Sequence, residues 1–386
     1  MRRSTEQLLA RLLEALEPEL SLAVELRQRL HRQPELAHAE ERTAATVAEQ
    51  LPVPAEAAAG TGRIARVGPE GERAIAVRAE LDGLPVQERT GVAFSATGPT
   101  MHACGHDVHM AALVALARAA HALGEELPVP LVALFQPSEE AYPSGAELLA
   151  RGELATIAPA AVVAAHVHPE LPWGAVALDA GAVNASCDAV EITIAGEPSH
   201  GAYPHRGRDP ILALAHVVVA LHAQVGRRID PVHPAVLTVG VLRGGETENV
   251  VAPRARARAA LREMVVEVAT GVAAAHGCRA IVELTPGEPA LENDPGIVER
   301  ARALLGAARL QPAAEWRSAG SDDFAFFGAL APIAIGFVGL AGAEGFAIRP
   351  LHHPEMLPPD SAVAAVARAQ AVLYVAAASA LGKELR

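Results

Sequence analysis

Three short apolar runs in this chain each break off into ionisable residues, and this repeated grammar restricts the folds open to it. Ala74-Ile75-Ala76-Val77-Arg78-Ala79 leads into Glu80 and Asp82, Leu131-Val132-Ala133-Leu134-Phe135 into Gln136-Pro137-Ser138-Glu139-Glu140, and Ala161-Val162-Val163-Ala164-Ala165 into His166-Val167-His168. Runs of this length read as buried strands. Between the first two, Met110 to Leu123 reads as a helix with Leu113, Leu116 and Leu123 on one face and Gly124 as its stop. Strands alternating with helices build a mostly parallel sheet, and ligands of such sheets gather outside the strands' carboxyl ends. Glu80, Asp82, Cys104, His106, Glu139, Glu140 and His166 are therefore expected on one rim.

From about Asp188 the texture changes. Val190, Ile192 and Ile194 alternate with Glu191 and Thr193, and Ala255 and Ala257 with Arg254, Arg256 and Arg258, as antiparallel strands with one solvated face do. Helices from Pro210 to about Gln224 and from Arg262 to His276, with strands near 235–242 and 280–285, complete a small α+β unit. The parallel texture returns in a helix from Ile297 to Leu305, the strand Pro332 to Val338 and a closing helix from Asp360 to Leu381. The expected fold is α/β: a mostly parallel-sheet domain over 1–184 and 296–386, with a smaller α+β domain inserted at 185–295. At 386 residues, two domains are also what length suggests. Residues 5 to about 31 read as a helix interrupted near Pro18, and Pro34 stops it. Gly60-Thr61-Gly62 imitates a dinucleotide fingerprint but lacks the strand before and the helix after, so it reads as a turn into a hairpin.

Met101-His102-Ala103-Cys104-Gly105-His106-Asp107-Val108-His109 holds a thiol, imidazoles and a carboxylate within a few residues. With Gly105 between them in a looped backbone, Cys104 and His106 can converge on one ion. Leu351-His352-His353-Pro354, far along the chain, offers a further imidazole. Cys, His and Glu together hold zinc and neighbouring divalent metals. The adjacent acids suit hydrolysis: one carboxylate binds metal while its neighbour moves protons. No GxSxG, HExxH or GxxxxGK[ST] motif points elsewhere. A net charge of -13, from 32 Lys+Arg against 45 Asp+Glu, argues against nucleic acid or an anionic membrane as partner. Cys104, Cys187 and Cys278 are far apart and odd in number, which suggests a reducing compartment and hence the cytoplasm. The N-terminus reads as an amphipathic helix rather than a signal core, and no segment reads as an uncharged membrane span.

Taken in order, these motifs carry a resemblance. Leu30-His31-Arg32-Gln33-Pro34-Glu35-Leu36, Arg78 to Pro85, Met101 to Asp107, Phe135 to Glu140, Pro198-Ser199-His200-Gly201-Ala202-Tyr203-Pro204-His205, Glu248 to Pro253, Ser318 to Phe324 and Leu351 to Pro354 make the chain similar to the amidohydrolases that cleave N-acyl amino acids. Hippurate hydrolase and the indoleacetyl-amino-acid hydrolases are of this type, related to aminoacylase and the co-catalytic metallocarboxypeptidases.

The resemblance implies two divalent ions (zinc, manganese, cobalt or nickel) on Cys104, His106, Glu140, His166 and His352, with Glu139 as general base. It makes Asp82 a residue that orients a ligand, and Asn249 and Arg262 candidates for the substrate carboxylate. The inserted domain becomes a lid and dimerisation domain of a homodimer, from which His200 reaches the substrate or a transition-state oxyanion. His102, Asp107 and His109 are read as support or packing. Glu80, Ser199, Gly201 and Asp322, and the Tyr142-Pro143-Ser144 turn, depart from the family's usual residues. Rivals are a dipeptidase, aminopeptidase or carboxypeptidase of the same superfamily, a silent metabolite-binding relative and a purely structural metal site.

Overall fold

Leu131–Gln136, Ile75–Glu80, Ala161–Pro172 and Ile333–Ala341 lie side by side, all parallel, at the centre of an eight-stranded sheet. Gly62–Val67 adds antiparallel at one side and closes a hairpin with Glu56–Ala58. At the other, Ala175–Ala177 runs antiparallel to Ile333–Ala341 and is joined by Gln311–Pro312. Every residue of the Ile75–Glu80 and Leu131–Gln136 strands is buried, because apolar layers cover both faces. One layer is formed by Arg2–Leu16, Leu20–His31, His106–Leu123, Pro295–Leu304 and Ser361–Leu381. Phe324, Phe327, Leu149 and Leu291 belong to the other. The fold is thus mixed α/β with a mostly parallel central sheet.

The structure, a computed structural model, describes residues 2–71, 73–230, 235–259 and 263–381. It divides into one unit of Met1–Val183, Leu291–Arg317 and Asp322–Arg386 and a second of Asn184–Ala290 with Ser318–Ser321. Ser318–Ser321, which the sequence reading gave to the first domain, joins the second unit because the Ala185 N–H donates to the Ser318 and Gly320 carbonyls at 3.1 and 3.2 Å. In the second unit Val239–Gly244, Arg254–Ala259, Asp188–Ala195 and Arg279–Pro286 form an antiparallel sheet in that order. Val190, Ile192 and Ile194 face Leu214, Val217 and Leu221 of helix Pro210–Arg228 and Val265 and Ala269 of helix Glu263–Ala275.

Two expectations are corrected. The helix expected from Met110 begins at His106; its first turn, rich in His and Asp, is buried on all sides and carries no amphipathic stripe. The strand expected to end at Ala165 continues to Pro172, since Ile333–Ala341 stays paired with it from Val162 to Pro172, so His166 sits inside a strand rather than beyond one. Pro210–Arg228 and Ser361–Leu381 are long and apolar enough to cross a membrane by length and composition, but each carries arginine, Arg227 and Arg228 in the first and Arg368 in the second. Ser361–Leu381 is apolar around its circumference because it is mostly enclosed by the first unit's core.

Candidate metal centre

Gly105 carries φ +85° between Cys104 and His106, and a Cβ there would lie 2.5 Å from Val167 Cγ2. Only glycine lets this turn close against the Ala161–Pro172 strand. His106 opens the following helix, and its Nδ1–H donates to the Asp82 carbonyl at 2.8 Å, just past the Ile75–Glu80 strand. That bond commits the ring's tautomer. The remaining nitrogen, Nε2, is buried and has no hydrogen-bond partner among the described residues.

Asp82 also reaches the acid pair, its Oδ2 accepting the Glu140 N–H at 2.9 Å. Glu140 Oε1 is buried without a hydrogen bond, although His352 Nε2 stands within ion-pair reach at 3.1 Å. His352 is held there by its backbone N–H, which donates to Ala103 O at 2.9 Å. His166 donates from Nδ1 to the Val167 carbonyl at 2.7 Å and turns Nε2 to within 3.5 Å of Cys104 Sγ. Cys104, His106 and Glu140 offer ligand atoms all within 4.8 Å of one another. Buried sulfur, nitrogen and oxygen donors converge here, and His106 Nε2 and Glu140 Oε1 among them lack a hydrogen-bond partner, an arrangement that fits a divalent cation.

Glu80 and His109 stand equally near His106 and His166, but their atoms are already used. Glu80 accepts from Arg78 and, at 2.8 Å, from His109 Nδ1–H; His109 Nε2 accepts the Val167 N–H at 3.0 Å. Asp323 is bound by Arg78 at 3.0 Å, Gln136 at 2.7 Å and Ser144 at 2.7 Å. Their hydrogen-bonding capacity is thus taken up by the protein itself.

A model of peptidase family M20/M25/M40 matches residues 76–374. The chain belongs to that family. It is a metal-dependent hydrolase acting on amide bonds. The N-acetyl-L-cysteine deacetylase of Bacillus subtilis (strain 168) is 32% identical over 355 residues, covering 88% of this chain and 84% of that protein. An N-acetyldiaminopimelate deacetylase of Halalkalibacterium halodurans is 36% identical over 260 residues, with 65% and 68% covered. A solved Bacillus subtilis structure, described as a dinuclear metal binding peptidase from M20 family, aligns with TM-score 0.79 at 26% identity, over 93% of this chain and 98% of that one.

In this M20/M25/M40 hydrolase the electrostatics follow from crowding acids into a buried site. For His106, burial pulls the pKa down, but Glu80, Asp82 and Glu140 outweigh it and push it up to about 10. Burial, then Glu140 and Glu139, raise the Cys104 thiol well above its usual value. His166 is held well below, by burial and then His109. Burial, with Glu140, Asp322 and Asp323 beside it, lifts Glu139 well above the ordinary carboxylate range. Such a cluster gains from a cation, and an ion held by the thiol and His106 would displace a proton from each.

Of the residues singled out in the sequence, Cys104, His106, Glu139, Glu140, His166, His352 and Asp82 come together in the first unit. His200 and Asn249 belong to the second, where Val250 pairs with His200, and Arg262 lies outside the described residues. Sequence reasoning passed over Arg78. It is fully buried and binds Glu80, Gln136, Asp322 and Asp323, and the one signal was a charge inside an apolar strand.

Proposed function

We propose that this chain hydrolyses the amide bond of small N-acyl amino acids to a carboxylate and a free amino acid, using two divalent ions held by Cys104, His106, Glu140, His166 and His352. The observation that carries this reading is the pair of buried, unpartnered atoms His106 Nε2 and Glu140 Oε1, converging with Cys104 Sγ within 4.8 Å. Zinc, manganese, cobalt and nickel all suit such a mixed donor set. When bound, the ions supply Lewis acidity toward the amide carbonyl and the attacking water.

Glu139 is the general base, and then the acid that protonates the leaving amine. Its Oε2 lies 3.8 Å from His106 Nε2, and a carboxyl raised well above the ordinary carboxylate range is suited to carrying a proton as well as taking one. Asp82 holds His106 by its carbonyl and Glu140 by its carboxylate. His200 accepts the Ala202 N–H at Nδ1, 3.0 Å, so its neutral ring presents Nε2–H, a donor suited to a developing oxyanion. It acts from the second unit, a lid and dimerisation domain, in the same chain or across a homodimer; Asn249 and Arg262 grip the substrate carboxylate. The deacetylase relatives favour acetyl as the acyl group, while a hippurate-like benzoyl group rests on the sequence resemblance. Three free cysteines agree with the cytoplasm.

The test is a hydrolysis panel of N-acetyl and N-benzoyl amino acids beside unblocked dipeptides, run with zinc, manganese, cobalt and nickel in turn. N-acyl amino acids are expected to be turned over fastest. Preference for free amino termini would replace this reading with a peptidase, and a metal-replete protein inert across the panel would sink it.

A further inference from the structure

Ser138 immediately precedes the acid pair and has φ +51°, a left-handed conformation that a serine adopts only when its surroundings hold it there. Its backbone N–H donates to Glu40 Oε1 at 2.8 Å. The hydroxyl accepts the His38 N–H at 2.9 Å and lies 2.9 Å from His38 Nδ1. On the ring's other side, His38 Nε2 meets the Tyr142 carbonyl at 3.2 Å. A carbonyl can only accept, so Nε2 carries the proton, Nδ1 is the acceptor, and the Ser138 O–H donates to it. His38 itself has φ +67°. Its ring therefore spans the segment 138–142 from one side of Glu139 and Glu140 to the other.

Glu40 is fully buried. Among the described residues no cation pairs with it, and its other oxygen accepts the Thr61 hydroxyl at 2.7 Å. Its Oε1 also lies 3.3 Å from the Ser138 hydroxyl, and a buried carboxyl whose contacts are one strained backbone N–H and two hydroxyls, one of them on the same serine, is placed to hold that backbone. The Ser138 carbonyl accepts the Gly145 N–H at 3.0 Å, and a Cβ on Gly145 would fall 1.7 Å from the Pro137 oxygen, so the loop has little freedom once clamped.

We infer that Glu40 and His38 are positioning residues that hold Ser138 left-handed and so aim Glu139 and Glu140 at their separate tasks. The inference rests on the function proposed above for that pair.

It is tested on the full chain with five variants: Glu40→Ala, Glu40→Gln, Ser138→Ala, Ser138→Gly and Glu40→Ala with Ser138→Gly. Zinc affinity is read by competition with a chromophoric chelator, and kcat and KM on the best N-acetyl amino acid. Glu40→Ala should weaken zinc binding by about 10–100-fold and lower kcat on the order of a hundredfold with KM little changed. Glu40→Gln, which keeps an acceptor for Ser138 N–H, should stay near wild type. Glycine adopts positive φ freely, so adding Ser138→Gly should restore most of the loss, and Ser138→Gly alone should outperform Ser138→Ala although both lack the hydroxyl. Wild-type behaviour of Glu40→Ala, absence of rescue, or equal behaviour of the two Ser138 variants overturns the clamp. If Glu40→Ala does not fold, the Ser138 pair decides. Should wild type turn over nothing in the panel, the functional reading falls, and the order of zinc affinities still judges the clamp.

Discussion

His106 and Asp107 are neighbours in the same buried turn of helix, and their surroundings treat them in opposite ways. Asp107 Oδ2 receives Arg27 Nε at 2.7 Å and His31 Nδ1 at 2.9 Å. Arg27, itself buried, spends its other nitrogens on Asp360 at 2.8 Å and the Pro358 carbonyl at 2.9 Å, while His31 continues to Glu88 at 3.2 Å. On the rim, His106 Nε2 and Glu140 Oε1 have no hydrogen-bond partner among the described residues. Both regions are buried and built from imidazoles and carboxylates. Asp107 Oδ1 also lacks a partner, so neither residue type nor one unanswered atom separates a binding group from a structural one; what marks the rim is that unanswered atoms of His106 and Glu140 converge with Cys104 within 4.8 Å.

The largest test of the comparison falls on the rim. Glu139→Ala should lower turnover by about 10²–10⁴-fold with metal content by elemental analysis near normal; retained turnover would remove Glu139 as the base. Next is the paired region: Arg27→Ala leaves a buried carboxylate without its cation and should cost about 3–5 kcal/mol in denaturant unfolding, while the folded fraction still binds metal.

Protonation sharpens the contrast further. Burial lowers the His31 pKa, but Asp107 and Glu88 prevail and lift it from 6.5 to about 9. A group whose folded pKa is raised stabilises fully below its unfolded pKa, and that contribution disappears as pH climbs through the folded value. Stability should therefore fall between about pH 6.5 and 9 by on the order of 3 kcal/mol, and His31→Gln should flatten this slope in urea unfolding. Rim groups respond to the same change in pH in the opposite direction. On the proposed ligand set a bound divalent ion displaces protons from His106 and Cys104, so zinc affinity, read by competition titration, should rise with pH below about 9, by up to about tenfold per unit for each proton released. The smallest effect is reserved for an exposed pair: Glu267→Gln breaks the 2.7 Å bridge to Arg228 and should leave the unfolding midpoint unchanged.

Much of the site was legible because buried parallel strands advertise themselves as apolar runs, and a run that stops at ionisable residues marks a rim. Asp82, Glu139 and Glu140 could be placed in this way, and Cys104 and His106 through the glycine between them. His352 was singled out only through resemblance, since one imidazole in a Pro-rich loop has no periodic signature. The helix start at His106 and the continuation of the strand through His166 escaped, because a fully enclosed segment shows neither the helical nor the alternating period. Glu40 and His38 lie about a hundred residues from Ser138 in the chain, and no local pattern links them to it.

The sequence by itself determined the parallel sheet, the antiparallel texture of the second unit, and the supply of thiol, imidazole and carboxylate at strand ends, because each depends on local periodicity and residue chemistry. Only the tertiary structure decided which of those groups are taken. Glu80, His109 and Asp323 are bound by partners the fold brings to them, whereas His106 and Glu140 each keep a buried atom without one, and those atoms converge with Cys104. The reason is physical: a hydrogen bond is a fact of three-dimensional distance and angle, and spacing along the chain carries neither.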